Sequence, residues 1–161
     1  MITLVLGGTR SGKSEHAERL ALDLGGPVTY LATAPTFDDA DFEARIERHR
    51  ARRPAEWRTI DTGADLVAVL RATDGPVLID SLGTWVTAHH DFEVDVSALQ
   101  VALTDRTADA IVVSEEVGLS VHPPTELGRR FVDALGETNR AVADIADQVV
   151  LVVAGRALVL P

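Results

Sequence analysis

The stretch "MITLVLGGTRSGKSEHAERLA" joins three local structures without a break. Ile2-Thr3-Leu4-Val5-Leu6 is apolar and partly β-branched, as a buried strand requires, while Glu15 to Leu24 is rich in Ala, Leu and Glu and reads as a helix. Between them, GGTRSGKS from Gly7 to Ser14 fits the pattern G-x-x-x-x-G-K-[ST]. A glycine turn in this setting points backbone N–H groups at a phosphate chain, while the lysine and the hydroxyl meet its outer oxygens and Mg²⁺. Lys13 is the only lysine among 15 basic residues. A compact ammonium and a planar guanidinium are not interchangeable, so a single lysine at the phosphate-contacting position is what a chemical requirement produces.

The rest of the chain supplies the sheet such a loop needs. Val28–Ala32, Val77–Ile79, Ala110–Val113 and Val149–Val153 are short apolar runs separated by helical patterns, and Ala157–Leu160 reads as a last edge strand. Strands without polar alternation are covered on both faces, which predicts an α/β fold with a mostly parallel sheet flanked by helices. Gly25-Gly26-Pro27 and Asp74-Gly75-Pro76 each stop a helix and launch a strand. Glu126 to Asp147 has mainly helical spacing and Gly136 near its middle, which leaves open one long helix or two shorter ones. At 161 residues and 46% hydrophobic content, one domain spanning residues 1–161 is expected. The net charge of −10 argues against nucleic acid or an anionic membrane as the main partner. No cysteine is present to build a disulfide scaffold, and no apolar run is long enough to span a bilayer, so a cytoplasmic location is the expectation.

Three further segments carry candidate chemistry. Val77-Leu78-Ile79-Asp80 is a strand ending in an acid; beside a phosphate loop such an acid holds the metal ion together with the loop hydroxyl, here Ser14, although a strand-final Asp also suits a following turn. In "DFEARIERHRARRPAEW", Arg45, Arg48, Arg50, Arg52 and Arg53 crowd around His49 on an expected helix. Taken alone this is a solvated, charged helix face; it also fits a phosphate grip, and neighbouring positive charge disfavours imidazolium and leaves a neutral, nucleophilic ring nitrogen. Finally, a strand is expected to end at Ser114, with Glu115-Glu116-Val117-Gly118 opening a loop at the carboxyl edge of the sheet, where open parallel sheets bind ligands.

Together these residues resemble one family, the bifunctional adenosylcobinamide kinase/adenosylcobinamide-phosphate guanylyltransferases of cobalamin synthesis. The resemblance rests on GGTRSGKS, "YLATA", "RIERHRARRPAEWRT", "VLIDSLGTWVT" and "EEVGLSVHP", and covers nearly the whole chain. The histidine block discriminates, since a phosphate loop is shared by many enzymes. The resemblance implies a RecA-like fold, GMP carried covalently on His49, and catalytic participation of Lys13. It implies a nucleotide site made by Gly7, Gly8, Thr9, Arg10, Ser11, Gly12, Lys13 and Ser14, the turn Ala32, Thr33 and Ala34, the segment Arg50, Ala51, Arg52 and Arg53, and Asp61 and Asp80. Ser14 and Asp80 are the implied Mg²⁺ ligands; GTP, ATP and a corrinoid are the implied substrates, and a homotrimer the implied assembly.

The chain departs from the family pattern at four positions. Glu115 stands where Asn is usual, Ser81 where Cys is frequent, Ala88 where Asn follows W-V-T, and Ser120 at the second glycine of the E-V-G loop; the stretch His89–Leu99 is also shortened. These changes are expected to bear on the corrinoid side of the site. The alternative activity is a plain small-molecule kinase with His49 on the surface. A GTP-dependent switch reads guanine through Asn-Lys-x-Asp, which a chain whose only lysine is Lys13 does not contain.

Overall fold

The computed structural model describes residues 1–34 and 54–161. Among them, seven strands form one sheet: β1 (Ile2–Gly7), β2 (Thr29–Ala32), β3 (Arg58–Asp61), β4 (Val77–Asp80), β5 (Ala110–Glu115), β6 (Gln148–Val153) and β7 (Arg156–Leu160). Their order is β3-β2-β4-β5-β1-β6-β7. All neighbouring pairs are parallel except β6 and β7, an antiparallel hairpin. The helices are α1 (Lys13–Asp23), α2 (Leu66–Arg71), α3 (Leu82–Thr87), α4 (Val96–Thr104) and α5 (Glu126–Ile145).

The two-residue period of a strand distributes its apolar run over both faces of the sheet. Leu4, Leu31, Ile79 and Val112 enter a core under α2, α3, α4 and α5, built with Leu66, Leu70, Trp85, Leu99, Leu103, Leu135 and Val142. Val5, Tyr30, Leu78, Ile111 and Val113 enter a second core on the opposite face, beneath Ala17 and Ala21 of α1 and against Trp57. Two-sided burial is why these strands read as continuous apolar runs.

Three elements depart from or complete the sequence reading. β3 carries no strand signal, because Arg58-Thr59-Ile60-Asp61 is mostly exposed at the sheet edge and is defined by its pairing with β2. α5 is a single helix through Gly136; the Thr125 hydroxyl accepts from the Gly128 amide at 3.1 Å and caps it, and its buried face of Leu135, Thr138, Asn139 and Val142 offsets the cost of about 1 kcal/mol for an interior glycine. β5 runs through Glu115, one residue beyond the expected end. Among the described residues no helix is long and apolar enough to cross a membrane.

Candidate active site

β1 ends at Gly7 and α1 begins at Lys13, so the intervening turn has to reverse within five residues. Gly12 does this in the left-handed region, with φ 92°, and Arg10 also lies there at φ 58°. A Cβ on Gly7 would overlap Ser11 Oγ and the Val152 carbonyl, so only glycine fits where the loop folds back on the sheet. Ser11 N–H donates to the Gly8 carbonyl at 3.2 Å, and the Ser11 carbonyl accepts from Gly155 in the β6–β7 turn at 2.8 Å. The hairpin therefore braces the loop from behind. Gly8, Thr9 and Arg10 are exposed, whereas Ser11 and Lys13 are buried and Ser14 is half-buried. This is a loop whose rim faces solvent and whose lysine rises from a packed base.

Parallel register brings the other strand ends to the same edge. Gly7 lies opposite Glu115, and Ala32 lies between Asp61 and Asp80. Tyr30 Oη donates to Asp80 Oδ2 at 2.6 Å and orients that carboxylate. Thr33 N–H donates to the Asp80 carbonyl at 3.3 Å, and the Thr62 amide donates to the Ala32 carbonyl at 2.7 Å. The Thr33 side chain, expected at the nucleotide, is fully buried; its hydroxyl donates to the Ser81 carbonyl at 2.6 Å and accepts from Ser81 N–H at 2.8 Å. Its role is to tie the β2 turn to the end of β4. Asp61 is exposed at the end of the edge strand and Ala34 is half-buried after the turn.

The site also contains a group that the loop pattern alone does not indicate. Glu115 Oε1 is 3.5 Å from Lys13 Nζ, with the lysine side chain 9% exposed and the glutamate 30%. Ser81 Oγ lies 3.0 Å from both carboxylate oxygens, and Gly83 N–H donates to Oε2 at 3.1 Å. A Cβ on Gly83 would overlap Glu115 Oε2. The backbone is fixed too, because Asn139 Nδ2 donates to the Glu115 carbonyl at 3.0 Å while Asn139 Oδ1 accepts from Ser114 Oγ at 2.5 Å. Two of the departures, Ser81 and Glu115, are thus in contact with each other, and Glu115 reaches Lys13 of the phosphate loop. The sequence reading assigned these departures to the corrinoid side and did not show this contact, since residues 34 apart in sequence meet only through the β4–β5 pairing.

Ser14 and Asp80 offer a hydroxyl and an oriented carboxylate, the hard oxygen donors that Mg²⁺ takes, so the residue types fit the ion. His49, Arg50, Ala51, Arg52 and Arg53 lie outside the described residues. His16 on α1 is half-buried, and burial followed by the charge of Arg19 lowers its pKa below 6.5.

A buried strand feeding a glycine loop and helix, with acids on the carboxyl edge of a mostly parallel sheet, defines an α/β protein of the P-loop nucleotide-binding class. Solved structures agree at the level of fold. The flagellar accessory protein FlaH of Methanocaldococcus jannaschii superposes over 99% of this chain and 77% of its own, with TM-score 0.56 at 17% identity. An ATPase of a bacterial type III secretion system matches over 93% of this chain and 50% of its own, with TM-score 0.59 at 14% identity.

Within that class the chain belongs to the cobinamide kinase / cobinamide phosphate guanyltransferase family, whose profile matches residues 3–160. It is 41% identical over 164 residues to the bifunctional adenosylcobalamin biosynthesis protein CobP of Pseudomonas aeruginosa, covering 96% of this chain and 94% of the relative. Against the corresponding protein CobU of Salmonella typhimurium it is 36% identical over 177 residues, covering 96% and 97%.

Proposed function

We propose that the chain, acting as one domain over residues 1–161, phosphorylates adenosylcobinamide and then joins GMP to the product, giving adenosylcobinamide-GDP. The observation that carries this reading is the family match over residues 3–160, in which relatives named as bifunctional share 36–41% identity along almost their whole length. The loop geometry supports it, because Lys13 contacts Glu115 at the carboxyl edge of the sheet, the edge at which β4 ends in Asp80 and where a triphosphate and an acceptor would meet.

In the kinase step the amides of Gly7–Ser14 hold the triphosphate and Lys13 meets its outer oxygens. The acceptor hydroxyl loses its proton to solvent as its oxygen forms the new O–P bond to the γ-phosphorus, the bond to the β-phosphate oxygen breaks, and the nucleoside diphosphate leaves. Ser14 and Asp80 are the residues that would hold Mg²⁺, which supplies positive charge against the charge building on the bridging oxygen. In the second step a neutral His49 nitrogen attacks the α-phosphorus of GTP and releases pyrophosphate; the phosphate of the acceptor then displaces the histidine. Arg50, Arg52 and Arg53 would balance the phosphate charge. Ala51, the turn Ala32–Ala34 and Asp61 complete the proposed nucleotide site. The same reading takes the enzyme as a cytoplasmic homotrimer using ATP or GTP. The net charge of −10 supports a small-molecule substrate over nucleic acid.

Incubating the enzyme and cobinamide with GTP labelled at the α or the γ position tests the reading. Label from γ should appear in cobinamide phosphate, and label from α in the GDP-linked product. Transfer of γ label alone would establish a plain kinase, and transfer of neither would reject the function.

A further inference from the structure

We propose that Glu115 is a positioning residue for Lys13 and that it also sets how strongly the loop prefers a nucleoside triphosphate to a diphosphate. The proposal rests on Gly7–Ser14 being the working phosphate loop. Every contact described for this carboxylate is with a donor: the Lys13 ammonium, the Ser81 hydroxyl and the Gly83 amide. That is the environment of an ionised, acceptor-only group. The absence of a side chain at position 83 leaves the space that Oε2 fills. The carboxylate is therefore built into the site, fixed at its backbone by Asn139 and at its head by Ser81 and Gly83.

Its position has two consequences of opposite sign. In the nucleotide-free loop it gives the mostly buried ammonium a counter-charge and fixes the direction in which Lys13 points. A loop lysine reaches toward the β- and γ-phosphates, so a carboxylate 3.5 Å from its nitrogen faces the outermost phosphate once nucleotide is bound. A triphosphate then meets a like charge that a diphosphate, one phosphate shorter, largely avoids. The repulsion disappears when the γ-phosphoryl group leaves for the acceptor, so Glu115 weakens ground-state binding of the triphosphate without weakening the product state equally. A residue that only braced the fold would affect both nucleotides alike.

The test is calorimetric titration of wild type, E115Q and K13A with GTP and with GDP in Mg²⁺ buffer, together with steady-state kinase kinetics. E115Q should bind GTP about five- to tenfold more tightly, the scale of a partly screened charge pair, with GDP affinity changed by less than about twofold. Its KM for GTP should fall in parallel, and kcat should drop because Lys13 has lost its guide. Should E115Q not fold, E115N carries the same prediction. Equal changes for GTP and GDP, or GTP affinity within about twofold of wild type, would overturn the role of Glu115. If instead K13A binds both nucleotides as wild type does, the loop assignment itself fails, and the role of Glu115 falls with it.

Discussion

Lys13 Nζ at the start of α1 and Glu115 Oε1 at the end of β5 lie 3.5 Å apart, joined across the β1–β5 pairing that sets Gly7 beside Glu115. The phosphate loop and the strand next to it therefore act as one unit. Lys13 is buried and its ammonium faces the Glu115 carboxylate.

Lys13→Ala should lower both proposed activities, because each uses the loop to hold a triphosphate. Loss of a preorganised donor aimed at developing charge costs on the order of 10²–10³ in rate. Steady-state assays of phosphorylation and of guanylyl transfer on purified protein check this. Near-wild-type rates in either assay would remove Lys13 from that step.

Asp80→Asn keeps the shape of the side chain and the partner of Tyr30 Oη, but removes the charge. The magnesium concentration giving half-maximal rate should rise by about tenfold or more, together with a fall in turnover. A magnesium titration that superposes on wild type would leave Asp80 with a structural role only.

Gly83→Ala places a methyl group where Glu115 Oε2 sits, so it should destabilise the fold by about 1–3 kcal/mol through overpacking. In a Glu115→Ala background the same change should cost less than about 0.5 kcal/mol, because the clash partner is gone. Urea midpoints of the two singles and the double measure the coupling. Strictly additive losses would show that the two groups do not compete for space.

The depressed His16 pKa makes a signed prediction for pH. The folded state disfavours the charged imidazole, through burial first and Arg19 second. A base whose folded pKa lies below its unfolded value of 6.5 contributes stability above that pH and loses it as pH falls through 6.5 toward the folded value. Urea unfolding between pH 8 and pH 5 should show this decline, and His16→Gln should flatten it. An unchanged pH slope in the variant would assign the acid sensitivity elsewhere.

β1, β2, β4 and β5 were legible because two-sided burial forces continuous apolar runs, as in Leu4-Val5-Leu6 and Val77-Leu78-Ile79, whereas β6 and the mostly exposed β7 were legible from apolar runs that burial does not account for. β3 was not, since an exposed edge strand needs no such run. The phosphate loop was legible because its constraints are local: Gly12 needs a positive φ, and Gly7 meets Ser11 and Val152 with no room for a Cβ. The Lys13–Glu115–Ser81 cluster was not, because it is assembled by register between strands rather than by spacing along the chain. Gly83 signals it only in retrospect, as an exception to the preference against glycine inside a helix.

In the proposed reaction one loop serves two transfers and His49 carries GMP between them, and intact-mass spectrometry after incubation with GTP and Mg²⁺ is its sharpest test. Wild type should gain one GMP, in a linkage that is acid-labile and base-stable, as a phosphoramidate is. His49→Ala should gain none, while still phosphorylating cobinamide at a substantial fraction of the wild-type rate. A wild-type protein that acquires no GMP, or a His49→Ala protein that acquires it as readily, would contradict the account.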